Sequence, residues 1–205
     1  MTKNQNPEMS TEEHLVGLAD SAWKLLGTDT LKNLEIKEVA DAAAVPLQLA
    51  EALGGSVQRL IFLKMSMLDQ KSILETLADI QDSEGASIRE KIVEGLLHRF
   101  EVYAPYREQI KSLKNTAKKD PELAIRLLDA SESTIRRILI MSGDKAIGLR
   151  GKMRVKGVVG VWILTVPIWI KDDTTDLSAT MKSLDHRMKQ AEEWGTSFGV
   201  FRTTL

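Results

Sequence analysis

The sequence contains no cysteine, and proline, glycine and aromatic residues are all sparse. The absence of cysteine excludes disulfides, thiolate metal sites and a cysteine nucleophile. Five prolines and 13 glycines among 205 residues leave long stretches without a breaker, which favours helices. Neither charge sign dominates, because the formal net charge is −1, so the chain as a whole has no electrostatic attraction to nucleic acid or to an anionic membrane.

Long apolar runs are also lacking. The longest, residues 157–170, contains Thr165 as its one polar side chain and stops at Lys171. A transmembrane helix needs about 20 apolar residues, so this run is too short to span a membrane. Because the N-terminal residues are polar and resemble no signal peptide, we predict a cytoplasmic protein. Four alternating cations form a basic collar before the run: Arg150, Lys152, Arg154 and Lys156.

The positive signal is helical, since apolar residues recur mostly at three- and four-residue spacing. The spacing predicts an all-α chain with helices at about 12–26, 35–44, 46–53, 56–80, 86–101, 105–118, 121–141, 144–171 and 175–194. Pro46, Pro105 and Pro121 fall at predicted helix starts, where proline is tolerated. The run 157–170 would also suit a buried strand, but we predict a helix because a lone strand cannot satisfy its backbone.

The last two predicted helices have the pattern of a subunit interface. The final helix carries a narrow apolar stripe with four- and three-residue spacing, and the helix before it is apolar on every side. We therefore predict a homodimer built on these two helices. The predicted interface residues are Val161, Ile168, Leu177, Met181, Leu184 and Met188.

Residue patterns that carry chemistry are absent. His14, His98 and His186 lie far apart, and we find no carboxylate or second histidine at metal-ligand spacing from any of them. The segment "DDTTD" at 172–176 is typical of a turn followed by a helix N-cap, not of a metal site. Because no phosphate-binding glycine loop or nucleophile motif occurs either, we predict a protein that is not an enzyme and has no metal or cofactor.

The stretch "LEIKEVADAAAVPLQLAEAL" at 34–53 has the layout of a helix-turn-helix. On "VADAAAV" (39–45) it resembles the DNA-binding headpiece of the TetR family. This resemblance implies that the helix at 46–53 enters the major groove of DNA. The DNA-contacting residues would then be Lys37, Pro46, Leu47 and Gln48.

Charge in this part of the chain opposes DNA binding. Residues 1–60 contain five cations and nine acidic residues, a net charge of −4. Phosphate neutralisation by lysine and arginine supplies nearly all non-specific affinity for DNA. The headpiece is therefore predicted to keep the fold without the DNA function.

Two later segments, 87–113 and 148–194, resemble the ubiquinone-biosynthesis accessory proteins of the coenzyme Q nine family. The resemblance lies in a charged-then-apolar helix, the "DDTTDL" break and the closing "LDHRMKQAE". It implies a TetR-like helical dimer that binds an isoprenoid lipid and is not an enzyme. A cation of the collar would suit a phosphate head group. The ligand-binding residues would be Leu96, Leu97, Phe100, Lys156, Val158, Trp162, Thr165 and Trp169.

Taken together, these patterns predict a TetR-like all-α protein with a headpiece at 1–55 and a ligand-binding, dimerising helical bundle at 56–205. The first function hypothesis is a lipid- or isoprenoid-binding accessory protein, with peripheral membrane contact as a further option and no identified protein partner. The alternative is a TetR-type transcriptional regulator that binds DNA and senses an apolar ligand. A plain dimeric interaction module with a filled core is the third option.

Overall fold

The computed structural model describes residues 10–82 and 85–197, which form nine α-helices, one short 3₁₀-helix and no strand. The predicted all-α class is thereby confirmed. The helices are α1 (Thr11–Leu26), α2 (Ile36–Ala43), α3 (Leu47–Gly54), α4 (Val57–Asp82), α5 (Ile88–Tyr103), α6 (Arg107–Ala117), α7 (Pro121–Met141), α8 (Gly148–Trp169) and α9 (Ser178–Ser197), with the 3₁₀ turn at Ala104–Tyr106.

Helix ends lie where the side chains supply caps. Ser10 and Glu13 form a capping box at the start of α1, with the Ser10 amide donating to the Glu13 carboxylate at 2.6 Å. Ser87 and Glu90 repeat this arrangement at the start of α5. Because such boxes satisfy amides that a helix start leaves without partners, they fix both boundaries.

Contacts between residues group the chain into two compact units. The first unit comprises residues 1–67 and 106–120, and the second comprises 68–105 and 121–205. Helix α4 contributes its beginning to the first unit and its remainder to the second. The boundary predicted after residue 55 falls between α3 and α4 and stays a prediction.

In the first unit, α1 packs against α2, α3 and α6. Its buried face carries Leu18, Trp23 and Leu26, and the Trp23 ring meets Tyr106 edge-on at 5.9 Å between centroids. Between α2 and α3 the chain turns at Ala44, whose φ of 53° lies in the left-handed region. This turn sets the angle at which α3 leaves α2.

In the second unit, α5, α7, α8 and α9 pack around a common core. The apolar run 157–170 belongs almost entirely to α8, which confirms the helix prediction for this ambiguous segment. Pro167 lies in the last turn of α8, where the helix ends two residues later at Trp169. Among the described residues, no helix is long and apolar enough to cross a membrane.

Candidate functional site

The helix-turn-helix of the first unit presents the start of α3 at the protein surface. Pro46, Leu47 and Gln48 are all exposed there, and Lys37 is exposed on α2. The buried face of this motif consists of small apolar residues such as Ala40 and Ala50. All four residues predicted to contact DNA are therefore accessible to a partner.

The charge of this unit differs from the count over residues 1–60, because α6 packs on α1 and belongs to the same unit. Residues 106–120 add five cations and only two acidic residues. An open groove of about 420 Å³ is lined both by Thr116 and Asp120 and by residues at the starts of α2 and α4, including Ile36 and Ser56. The C-terminal end of α6 thus shares a groove with the starts of α2 and α4, so a count over contiguous residues leaves out the cations that α6 adds to this unit.

The core of the second unit contains seven of the eight predicted ligand-binding residues. The buried ones are Leu96, Leu97, Phe100, Val158, Trp162, Thr165 and Trp169. Phe100 stacks on Trp162 at 3.8 Å between ring centroids and lies 5.4 Å from Trp169. Lys156 is exposed instead. The structure therefore unites the aromatic side chains, and a ligand entering there would have to displace their packing.

Beside this aromatic cluster lies a buried polar network centred on Asp69. Its carboxylate accepts hydrogen bonds from Arg99 Nε at 2.8 Å, Arg99 Nη2 at 3.0 Å, Tyr103 Oη at 3.0 Å and Thr134 Oγ1 at 2.7 Å. All four residues are at least nine-tenths buried. The bidentate geometry and the two hydroxyl donors offset the desolvation of both charges.

This network sets the charge states of its members. Burial lowers the pKa of Arg99, but Asp69 and Tyr103 raise it by more, so the guanidinium stays charged. Burial and the adjacent Asp69 carboxylate raise the pKa of Tyr103 well above 10, so the phenol stays neutral. The Arg99 guanidinium also lies 4.5 Å from the centroid of the Trp162 ring, a cation–π distance.

One donor of Arg99 is left over. Its Nη1 is buried and meets no hydrogen-bond acceptor among the described residues. A buried N–H group without an acceptor costs free energy, so this atom is suited to a carbonyl or carboxylate group of a ligand. Sequence reasoning missed this site, although Arg99 interrupts the apolar stripe of α5 formed by Leu96, Phe100 and Tyr103.

The basic collar before the apolar run is divided between two environments. Arg154 forms a bidentate pair with Asp144, with Nε–Oδ2 and Nη2–Oδ1 distances of 2.7 and 2.6 Å. Burial raises the pKa of Asp144, but hydrogen bonds from Arg154 and from a backbone amide lower it by more. Arg150, Lys152 and Lys156 are exposed. Arg154 is therefore committed to the α7–α8 connection, while the other cations face solvent.

The residues predicted for the dimer interface are mostly buried within the chain itself. Val161, Leu177, Leu184 and Met188 are all less than one-tenth exposed, whereas Met181 is 45% exposed. Ile168 is intermediate. The apolar surface that α8 leaves uncovered consists of other residues, namely Leu149, Met153, Ile163 and Leu164.

The segment 172–176 is a turn and helix cap, as predicted. Asp172 accepts hydrogen bonds from the amide and hydroxyl of Thr180, at 2.7 and 2.6 Å, and from Thr174. Burial raises the pKa of Asp172, but these hydrogen bonds outweigh it and lower the pKa to about 2. Thr174 and Asp176 in turn accept from the amide of Ser178 at the start of α9.

The prediction that no histidine has a carboxylate at metal-ligand spacing is wrong for His98. Glu94 and Glu101 lie one turn away on the same helix, and Asp79 reaches the ring from α4. The first two positions could have been found from the sequence. Asp79 could not, because it lies 19 residues away on another helix.

No model of a known protein family matches the sequence, and no curated protein matches it. Solved structures do. A TetR transcriptional regulator from Nitrosomonas europaea is similar with a TM-score of 0.67 and 14% identity, covering 87% of this chain and 98% of that chain. A TetR-family transcriptional regulator from Streptomyces coelicolor is similar with a TM-score of 0.61 and 13% identity, covering 93% and 85% of the two chains.

A TetR-like transcriptional regulator from Rhodococcus sp. RHA1 is also similar, with a TM-score of 0.55, 15% identity and coverage of 94% of this chain and 100% of that chain. The resemblance to ubiquinone-biosynthesis accessory proteins receives no support from these comparisons. What they show at such low identity is the fold. This chain has the all-α fold of the TetR-type transcriptional regulators.

Proposed function

We propose that this protein is a TetR-type transcriptional regulator that binds DNA through α3 and senses an apolar ligand in the core of its second unit. The main support for this proposal is that the start of α3, the second helix of a helix-turn-helix, is exposed. The chain also has the TetR fold over most of its length. Of the three functions considered from the sequence, this is the alternative hypothesis, and the solved structures favour it over the accessory-protein hypothesis.

The chemistry of the start of α3 suits contacts with A·T base pairs. A glutamine side chain can bond adenine through two hydrogen bonds, and an apolar side chain can contact the thymine methyl group. Gln48 and Leu47 supply these two groups side by side. Phosphate contacts would come from Lys37 and from the exposed Lys118 and Lys119 at the end of α6.

A selection from a pool of random duplexes, followed by affinity measurements over a range of salt concentrations, tests the DNA function. We expect an enriched A·T-containing half-site and a loss of about 1–3 kcal/mol of binding free energy in Gln48→Ala, with relaxed specificity at one position. Gln70→Ala, an exposed glutamine on α4, is the matched control and should bind like the wild type.

The phosphate contacts are tested by Lys118→Gln, which should reduce the slope of log binding constant against log salt concentration by about 1. A pool that shows no enrichment would contradict the proposal.

The ligand of the second unit would combine an apolar body with a carbonyl or carboxylate end. The aromatic side chains of Phe100, Trp162 and Trp169 would contact the body, and Arg99 Nη1 would donate to the polar end. Native mass spectrometry of protein purified from its own host, followed by organic extraction, would identify such a molecule. Trp162→Phe should weaken its retention, whereas the exposed Trp194→Phe should not.

The regulator would act as a homodimer through the uncovered face of α8. Met153, Ile163 and Leu164 are 42–56% exposed, and an added Cβ at Gly157 or Gly160 would meet no atom within 4 Å. This face would be complementary to itself, because an antiparallel pair crossing near residue 160 would place the exposed Leu164 of each subunit opposite the open space at Gly157 of the other. Such self-complementarity is what a twofold interface requires.

Light scattering on purified protein tests this interface. The wild type should be dimeric at micromolar concentration, and Leu164→Glu should be monomeric because a charge would be buried without a partner. Ile125→Glu is the control, since Ile125 is 59% exposed and belongs to α7, not to α8. A monomeric wild type, or equal effects of both substitutions, would contradict a dimer built on α8.

A second candidate function is lipid or isoprenoid binding without DNA binding. It is favoured by the exposed acidic residues beside the start of α3, namely Glu35, Glu38, Asp41 and Glu51. These carboxylates would repel phosphates on both sides of α3. Copurification of a lipid by a protein that enriches no duplex would favour this function over the regulator.

A further inference from the structure

A histidine–carboxylate cluster lies on α4 and α5, apart from both α3 and the aromatic core. The Nε2 atom of His98 is 2.7 Å from Asp79 Oδ2 and 3.7 Å from Glu94 Oε1. One ligand atom from each of these three residues lies within 4.8 Å of the others. Asp79 and His98 also line an open groove of about 470 Å³, so the cluster is accessible from solvent.

A fourth residue orients the imidazole. The Nδ1 atom of His98 lies 3.2 Å from Glu101 Oε2, one turn further along α5. When Nδ1 donates its proton to this carboxylate, the Nε2 lone pair points toward Asp79 and Glu94. A carboxylate that holds the second nitrogen of a metal-binding histidine is a recurring feature of zinc sites, where it fixes the tautomer and increases ligand basicity.

The electrostatics of the groove favour a cation. Nε2 of His98 and Oδ2 of Asp79 lie 2.7 Å apart, a hydrogen-bond distance at which one proton joins them, and a divalent cation can take the place of that proton. The carboxylates of Asp79, Glu94 and Glu101 surround one imidazole. The nearest cation lining the groove, Lys71, lies 3.7 Å from a fourth carboxylate, that of Glu75.

The geometry can accommodate a metal ion with small side-chain movements. Zinc–ligand bonds of about 2.0–2.2 Å place neighbouring ligand atoms roughly 3.3 Å apart in a tetrahedron. Asp79 and Glu94 are about half exposed, so their carboxylates can move while the helices stay fixed. The imidazole disfavours Ca²⁺ and Mg²⁺, which prefer oxygen ligands, and suits Zn²⁺ or a similar first-row divalent ion.

We propose that Asp79, Glu94 and His98 form a binding site for Zn²⁺ or a similar divalent transition-metal ion, with Glu101 as a positioning residue. The site has three protein ligands and leaves the fourth position to water or to an external ligand. It is independent of the proposed DNA and effector functions, because none of its residues belongs to α3 or to the aromatic core.

The test is a zinc titration of tag-free full-length protein against a competing chromophoric chelator, together with native mass spectrometry for stoichiometry. We expect one Zn²⁺ per chain. His98→Gln and Asp79→Asn should each weaken binding by at least about 100-fold, and Glu101→Gln by about 10-fold. His186→Gln, an exposed histidine on α9, and Glu75→Gln, a groove carboxylate outside the ligand set, should leave the affinity within about twofold.

Circular dichroism of every variant shows whether the helices are retained, which is expected because the carboxylates of Asp79 and Glu101 are about half exposed and glutamine can replace the 13% exposed His98 without adding a charge. X-ray absorption at the zinc edge should give a first shell of one nitrogen and oxygen ligands. The proposal is overturned if the wild type binds no Zn²⁺ at micromolar concentration. It is equally overturned if folded His98→Gln binds Zn²⁺ as tightly as the wild type.

Discussion

Helices α4 and α5 carry two clusters in which a basic side chain meets carboxylate oxygens, and the clusters differ in burial. Asp69 and Arg99 are 5% and 2% exposed and share their hydrogen bonds with Tyr103 and Thr134. Asp79 lies ten residues after Asp69 on α4, and His98 directly precedes Arg99 on α5; their side chains are 54% and 13% exposed. The same helix pair thus holds one closed cluster and one open cluster.

This difference decides what each cluster can do. Removing one partner of a buried pair leaves the other charge without solvent, so each member of the closed cluster holds the other in place and Arg99 stays fixed beside Trp162. Exposed pairs contribute little, because water screens them. The open cluster can therefore exchange its partners for a ligand at small cost, whereas the closed cluster can accept a ligand only at the one remaining donor, Arg99 Nη1.

The largest effect is expected from breaking the closed cluster. Asp69→Ala should lower the free energy of unfolding by about 3–5 kcal/mol, because Arg99 would stay buried with its charge uncompensated. Replacing both partners in Asp69→Leu/Arg99→Met should cost much less. Urea unfolding measures the free energy of unfolding of both variants. If Asp69→Ala lowered it by less than about 1 kcal/mol, water would have to reach the Arg99 guanidinium.

Asp172 tests how much stability the hydrogen bonds to a carboxylate at the start of α9 contribute. Its pKa in the folded chain is about 2, below the ordinary 3.8, because the hydrogen bonds from Thr174 and Thr180 outweigh burial. Its contribution of about 2 kcal/mol is therefore full above about pH 4 and is lost as the pH falls toward 2. Unfolding measured between pH 2 and 6 should show a shallower decline for Asp172→Asn than for the wild type. If the free energy of unfolding declined with pH equally in both proteins, Asp172 would not contribute to the pH dependence of stability.

The smallest effect on stability is expected from the open cluster. Asp79→Asn should change the free energy of unfolding by less than about 1 kcal/mol in metal-free buffer, because the pair is solvent-screened. Thermal unfolding with and without added Zn²⁺ sharpens the comparison. The wild type should be stabilised by zinc, and Asp79→Asn should not. If Asp79→Asn lowered the free energy of unfolding by several kcal/mol in metal-free buffer, the open cluster would contribute to stability as the closed cluster does.

The helices were predictable from the sequence because their signals are local. The capping boxes at Ser10 and Ser87 and the proline at 121 mark helix starts within one turn. Even the ambiguous run 157–170 could be assigned, since no partner strand was available. The TetR-like fold followed from the order of these helices together with the "VADAAAV" turn.

The clusters were not predictable, because they join residues that are distant in the sequence. Asp69 and Arg99 are 30 positions apart, and Thr134 is 65 positions from Asp69. The charge of the first unit differs from that of residues 1–60 for the same reason, since α6 belongs to this unit but lies more than 50 residues after α3. The residues predicted for ligand binding and for the dimer interface stay predictions. Burial of Leu184 and Met188 within one chain shows that an apolar stripe does not specify which neighbour covers it.

Because Ala44 has a left-handed backbone conformation, the residues that are unfavourable inside a helix, glycine and asparagine, should be the most favourable at this position. A side chain with a Cβ at φ 53° costs about 1 kcal/mol relative to glycine. In a saturation library scored by protein abundance, glycine and asparagine should therefore rank first at residue 44, and valine and isoleucine last. Ala44→Gly would then be a stabilised background in which weakly folding variants of α3 can be assayed.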